Sequence, residues 1–502
     1  MKFVVCGGGT AGWLTALTIH SSNPKFHEVV VIESQKIGII GAGEATSGFL
    51  YDVLDGSTLF GNNQTMNPNK VAFDFAEFAK KVDAVPKYAL KHINWAKDKG
   101  SYWAPINGSE TSKRSPDHLF NYVVTEFGPE KAYLSSVLGQ SYDLNKLPPA
   151  GGGYGFQFDA HKVAKFLREY ITTTTKTTHI DSIIKDVTVT SDGLVESVII
   201  EDGQVIEGDF FIDATGFVRL LANKVGIGWT DYKNQLLVDR AMPFIVPYKE
   251  EEKVQPVTVA EALSSGWMWR TPTGGRRGCG YVYSSAFISE DEAQKEAEKI
   301  MGHPIEPIKH IKYESGRVDQ FWKGNVLVVG LASSFIEPLE ATSIHATIMQ
   351  IFSFCQEYLS DTKEKTLNPA SIQKYNAKTE KMYEYYKDFT VFHYQGGRED
   401  SEFWKTIKFD KITSPAVENY IERSKSRIPS ALHFMDFWGV DSLWKWTLAG
   451  LGYVSREQAM SELKQFDQFE FAQAQYRAFR EDMRKIHENS RPFEMNPKDF
   501  II

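Results

Sequence analysis

The strongest constraint on this chain sits within its first dozen residues. Gly7, Gly9 and Gly12 form a G-x-G-x-x-G turn directly behind an apolar run, Lys2 to Cys6, and ahead of Trp13, Leu14, Leu17 and Ile19 at helical spacing. The first glycine permits a tight turn, the second lets backbone approach a pyrophosphate, and the third lets helix pack on strand. Thr10 and Ala11 then fall at a helix start, where free N–H groups and the positive end of the dipole face the phosphates. A second apolar run closes at Glu33, about twenty residues on, where an acidic side chain accepts ribose hydroxyls. Strand, turn, helix and acid in register predict an α/β chain that opens with a Rossmann-like βαβ unit.

Both FAD and NAD use such a turn, so later segments must choose. Residues 208–216, GDFFIDATG, predict a strand ending in Asp213-Ala-Thr-Gly216, and residues 325–330, NVLVVG, predict another that runs into a small-residue turn at Gly330. Three separated returns to one sheet suit FAD. Between Asp186 and Asp213, the pairs Asp192–Gly193 and Asp202–Gly203 separate β-rich runs and predict an antiparallel meander. Asp159 reads as the N-cap of a helix carrying Val163, Ala164, Phe166 and Leu167. Gly38 to Gly48 reads as a loop, and a helical segment from about Met66 gives way to something strand-like near Pro86. Beyond about Ser343 the pattern is mostly helical. The expected organisation is an interleaved FAD-binding domain (1–100 with 150–345), an insertion (101–149), and a mostly helical C-terminal region on the substrate side (346–502).

A chain of 502 residues favours two or three subdomains. The net charge of −8 is spread out, and no Lys/Arg cluster marks a nucleic-acid or anionic-membrane surface, so a small-molecule partner is favoured. Cys6, Cys279 and Cys355 show no metal or redox spacing and are expected to be reduced, buried thiols in a cytoplasmic protein that holds no metal. There is no signal-peptide pattern and no apolar run of the roughly 18 residues that suggest a membrane span.

Several strings resemble the flavin-dependent tryptophan halogenase family. The glycine turn continues as GGGTAGW (7–13); GAGEAT (41–46) is similar to the family's flavin-proximal loop and brings in Gly43, Glu44, Ala45 and Thr46. GWMWRTP (266–272) resembles the signature W-x-W-x-I-P with Thr271 in place of Ile, and GYVYSS (280–285) follows it. FIEPLEATSIH (335–345) is like F-x-E-P-L-E-S-T-[GS]-I-H. The resemblance implies a halogenase-type FAD fold in which Trp267 and Trp269 keep organic substrate from the flavin, so that the oxidant goes to halide. On residues alone, two alternate indoles on one strand face read better as packed core.

The resemblance also implies a catalytic pair. Residues 83–95, DAVPKYALKHINW, match the family's D-A-T-F-K-x-G-I-x-F-x-N-W at both ends and put Lys87 at the lysine position, with Pro86 replacing the aromatic and Ala89 the glycine. Its implied task is to hold hypohalous acid, by a hydrogen bond or as a haloamine. Glu340 corresponds to the second catalytic residue, polarising that acid or accepting the arene proton. Thr342 and Ser343 match the positions whose backbone N–H groups hold halide, and Ser343 alters the turn if a positive φ is needed there. Reduced FAD from a separate flavin reductase, O₂ and chloride, bromide or iodide are the implied co-substrates. Members specific for tryptophan use paired tyrosines late in the chain, whereas after residue 400 only isolated Tyr420, Tyr453 and Tyr476 occur, with Phe437, Trp438, Trp444 and Trp446 as aromatic candidates. The expectation is an electron-rich indole, phenol or other arene rather than free tryptophan, in a divergent broad-substrate member, with a viral source as one candidate (and then a host-cytoplasm location). An ordinary FAD monooxygenase, another FAD oxidoreductase or a non-catalytic FAD-binding protein stand as alternatives, and a homo-oligomer is left open.

Overall fold

The computed structural model describes residues 1–22, 27–38, 44–46, 49–54, 74–106, 117–148, 154–359, 368–429 and 441–500. They form two compact units, each assembled from three chain segments: Met1–Ala84, Phe158–Lys233 and Glu314–Tyr386 make the first, and Val85–Gln157, Asn234–Tyr313 and Lys387–Ile502 the second.

The first unit is built on a six-stranded sheet in the order Trp322–Lys323, Val326–Val328, Phe210–Asp213, Lys2–Cys6, Glu28–Glu33, Thr178–Asp181. All neighbours pair in parallel except the antiparallel edge strand Trp322–Lys323. Central strands of a parallel sheet are covered on both faces, which is why Phe3–Cys6 and Phe210–Asp213 are buried at every residue. Helix Thr10–Ser22 follows the first strand and is buried at nearly all its residues. Asp159 caps helix Ala160–Thr174 through the backbone N–H groups of His161 and Lys162, as its position predicts. The meander is present: Ile184–Val189, Val195–Ile200 and Val205–Glu207 pair antiparallel, with Gly193 and Gly203 at positive φ in the two turns.

The second unit carries a seven-stranded sheet, Ile311–Lys312, Arg240–Val246, Arg277–Tyr283, Gly266–Pro272, Val257–Ala262, Ala89–Ile93, Ser101–Pro105. Only Val257–Ala262 and Ala89–Ile93 run parallel. The strand-like stretch near Pro86 is the short strand Val85–Lys87, preceded by helix Phe75–Lys81. The C-terminal region is helical: Pro369–His393, Glu402–Phe409, Pro415–Ser426, Asp441–Gly450, Arg456–Gln465 and Phe469–Ile486. Trp444 stacks on Phe392 with centroids 5.0 Å apart and Tyr420 packs edge-on against it, while Tyr476 packs on Tyr122, so these aromatics are core. Phe437, Trp438 and Met66 lie outside the described residues. Cys6, Cys279 and Cys355 are free and buried, and burial pushes the thiols of Cys279 and Cys355 up to about 12. No helix among the described residues is long and apolar enough to cross a membrane.

Candidate active site

The glycine turn has the asymmetry a pyrophosphate cradle needs. Gly7 has φ +114° and donates its N–H to the Ile32 carbonyl at 2.8 Å. A Cβ there would fall 2.2 Å from the Ala214 carbonyl oxygen, and one on Gly12 would fall 2.0 Å from that of Gly7. A Cβ on Gly9 would meet nothing within 4 Å, so the space over the second glycine is open while the first and third are closed by backbone. The other two chain returns end here as well. Ala214 belongs to the DATG segment, and Gly330 (φ +61°) lies so near Ala11 that a Cβ would sit 2.6 Å from the alanine methyl. Asp213 anchors its segment from a fully buried position, accepting from the N–H groups of Thr215, Leu221 and Ala222 at 2.8–3.0 Å. Burial raises its pKa against the pull of those bonds. The residues of the turn therefore fit the diphosphate of FAD.

Glu33 closes its strand as expected, but its carboxylate is already engaged. Oε1 accepts from Arg168 Nη1 at 3.1 Å and lies 3.1 Å from His179 Nε2, and Oε2 accepts from Trp13 Nε1 at 3.3 Å. Gly8, a variable position in the motif, is held to glycine by the same carboxylate: a Cβ would stand 1.6 Å from Oε2. Glu44 and Ala45 form a two-residue strand, Thr46 is buried, and Gly43 lies outside the described residues.

Also in the first unit, Glu340 is buried two residues ahead of helix Thr342–Phe354. Thr342 and Ser343 are the first two helical residues, whose N–H groups have no intrahelical carbonyl, and the positive dipole end lies there too. That is a suitable halide donor set. Positive φ is not needed at Ser343; it occurs at Ala341, φ 54°. Ser343 is helical, so serine imposes no strain in place of glycine, and the turn is made one residue before the helix begins.

In the second unit Lys87 is completely buried, 0% exposed, at the end of strand Val85–Lys87, where it pairs with Gly155. Pro86 is tolerated because this is an edge strand with no ladder donor to lose. Its carbonyl accepts from Gln157 Nε2 at 3.1 Å, and Gln157 Oε1 accepts from Thr258 Oγ1 at 2.9 Å, which ties the lysine strand to the large sheet. The flanking lysines are different. Lys81 is exposed, 2.7 Å from Glu77, and Lys91 is half-buried with its ammonium 5.6 Å from the Trp103 ring centroid. Burial singles out Lys87.

Trp267 and Trp269 lie on one face of strand Gly266–Pro272 with centroids 6.2 Å apart, Trp267 buried and Trp269 partly so. Register places Trp269, Ala260, His92 and Tyr102 in one row across that face. His92 stacks on Tyr102 at 4.7 Å and lies 4.9 Å from His393. Neither histidine carried a signal in the sequence, because only strand register and the end of a distant helix bring them together. Gly280 is the floor beneath Trp269: a Cβ would fall 2.0 Å from its ring. Gly280→Ala is expected to tilt that indole, with an overpacking cost of about 1–3 kcal/mol, read as a lowered Tm together with a shifted Trp emission. Unchanged values would mean that the indole does not rest there.

Three returns of the chain to one sheet, meeting at a glycine left open for a diphosphate, define an FAD-dependent oxidoreductase. The description "Tryptophan halogenase" matches residues 2–466, and the chain belongs to that family of flavin-dependent enzymes. It is 29% identical to tryptophan 7-halogenase RebH of Lentzea aerocolonigenes over 90% of each chain. Among solved structures it resembles Tar14, a tryptophan C-6 flavin-dependent halogenase (chlorinase) from taromycin biosynthesis, with TM-score 0.86 and 25% identity over 98% of both chains. Tryptophan 6-halogenase SttH of Streptomyces toxytricini gives 0.83 and 26%, also over 98% of both.

Proposed function

We propose that this chain halogenates an electron-rich arene, such as an indole or phenol, in preference to free tryptophan, through Lys87 and Glu340. The observation that carries the reading is the complete burial of Lys87 in a chain of this family. An ammonium is costly to bury, so a lysine withdrawn from water at the end of an edge strand is kept for chemistry rather than solvation. Reduced FAD, when bound, supplies together with O₂ the oxidising equivalents that convert halide to hypohalous acid; Gly7, Gly9, Thr10, Ala11, Gly12, Glu33, Gly43, Glu44, Ala45, Thr46 and Gly330 would hold it. The N–H groups of Thr342 and Ser343 hold the halide. Lys87 donates a hydrogen bond to hypohalous acid or carries the halogen as a haloamine, and presents it to the arene. Glu340 polarises that acid or takes the ring proton released as the carbon–halogen bond forms.

Preference against free tryptophan rests on the tyrosines after residue 400. Tyr420 and Tyr476 are core, and the Tyr453 hydroxyl donates to the Gln395 carbonyl at 2.6 Å, so none is paired with another to grip an amino-acid backbone among the described residues. The test supplies FAD, a flavin reductase with its nicotinamide, O₂ and each halide in turn, with indoles, phenols and tryptophan compared by mass spectrometry. Halogenated indole or phenol in excess over halotryptophan supports the proposal. Hydroxylated products would favour a monooxygenase, and halotryptophan as the main product would sink the substrate preference.

Trp267 and Trp269 are proposed to shield the flavin. Replacing both with Ala is expected to leave FAD affinity unchanged while part of the product becomes oxygenated and more peroxide leaks. Unaltered product ratio and coupling would leave the two indoles as sheet core only.

A further inference from the structure

We propose that Arg168 is a positioning residue that aims Glu33 Oε2 at the ribose of the flavin's adenosine half. The inference rests on the reading of Glu33 as the ribose acceptor. The carboxylate is held by hydrogen bonds from two separate elements, Trp13 on helix Thr10–Ser22 and Arg168 on helix Ala160–Thr174, and His179 on strand Thr178–Asp181 lies beside it. His179 pairs with Val31 in the parallel ladder, which puts its ring on the same sheet face as Glu33, two residues along. The Glu33 backbone is fixed as well, its carbonyl accepting from Ser182 N at 2.7 Å.

The two oxygens are used unequally. A carboxylate oxygen has two acceptor directions. Arg168 Nη1 and His179 Nε2, each at 3.1 Å, both face Oε1. Oε2 receives only the long 3.3 Å bond from the Trp13 indole, and it is the oxygen that lies against Gly8, on the glycine-turn side. One acceptor direction on Oε2 is thus left for a hydroxyl donor, beside the place where the diphosphate docks. The charge-assisted contact from Arg168 keeps Oε1 turned away and holds the side chain in one rotamer, so that ordering is complete before the nucleotide arrives. Arg168 has no sequence signal, since it stands more than a hundred positions from Glu33.

The test measures binding of ADP and of 2′,3′-dideoxy-ADP, which lacks both ribose hydroxyls, by calorimetry and by competition with FAD. Wild-type protein is expected to prefer ADP by about tenfold, the size of one charge-assisted hydrogen bond. Arg168→Met should collapse that ratio towards unity while dideoxy affinity and Tm stay near wild type. Arg168→Lys should restore part of the ratio. A folded Arg168→Met protein that keeps the wild-type ratio, or that loses both nucleotides equally, would overturn the positioning role. If wild-type protein shows no preference, or Glu33→Gln retains it, the ribose reading of Glu33 itself fails and the proposal goes with it.

Discussion

Lys87→Ala is expected to abolish organic halogenation while reduced flavin is still consumed by O₂ at the wild-type rate. In the proposed mechanism the lysine acts after hypohalous acid has formed, so its loss stops halogen transfer without touching the oxidative half of the reaction. A positioned donor or general acid contributes on the order of 10²–10⁴ in rate, and one that also carries the halogen contributes more. Lys87→Met is the control for folding, because it keeps the linear stem and removes the charge from a fully buried site. A cooperative melt retained with halogenation lost separates the chemical role of the lysine from a folding defect. Lys87→Arg should fail too: guanidinium stays protonated, cannot become a haloamine, and offers a planar fork in place of a point donor. The measurement needs a scavenger of free hypohalous acid. Near-normal product from Lys87→Ala with scavenger present would show that the mechanism is mistaken. Product seen only without scavenger would be leaked oxidant reacting in solution.

Glu340→Gln should lower the halogenation rate by roughly 10²–10⁴, the range for a general base or polarising carboxylate, with the fold retained. Glutamine keeps the shape and one carbonyl acceptor but can neither take a proton nor carry charge. The competing explanation is structural. Glu340 stands just ahead of helix Thr342–Phe354, where a carboxylate favours the positive dipole end. A carboxylate acting only in that way contributes about 0.3–1 kcal/mol to stability and nothing to rate. The two accounts separate cleanly: a large drop in rate with Tm nearly unchanged supports catalysis, and a small drop in Tm at full rate leaves a helix-terminal charge.

What could be read from residue order was whatever local geometry dictates. A glycine turn between strand and helix, two Asp-Gly hairpins in the meander and an N-cap at Asp159 each follow from backbone sterics within a few residues, and each is present in the structure. Family strings in chain order carried the resemblance from Gly7 to His345 without any knowledge of contacts. Other features needed the folded chain. A lysine reads the same in sequence whether solvated or buried, and only the pairing of Val85–Lys87 with the distant strand at Gly155 takes Lys87 out of water while Lys81 stays in it. Gly8 and Gly280 look like ordinary glycines until the Glu33 carboxylate and the Trp269 ring are seen to fill their Cβ positions. The positive φ at Ala341 shows the same limit, since the motif left open whether Ser343 needs one and the helix start settles that it does not. Periodicity and glycine sterics are short-range and therefore legible along the chain; burial, cross-strand register and the crowding of one side chain by another depend on residues that only folding brings together, and tertiary structure alone decides them.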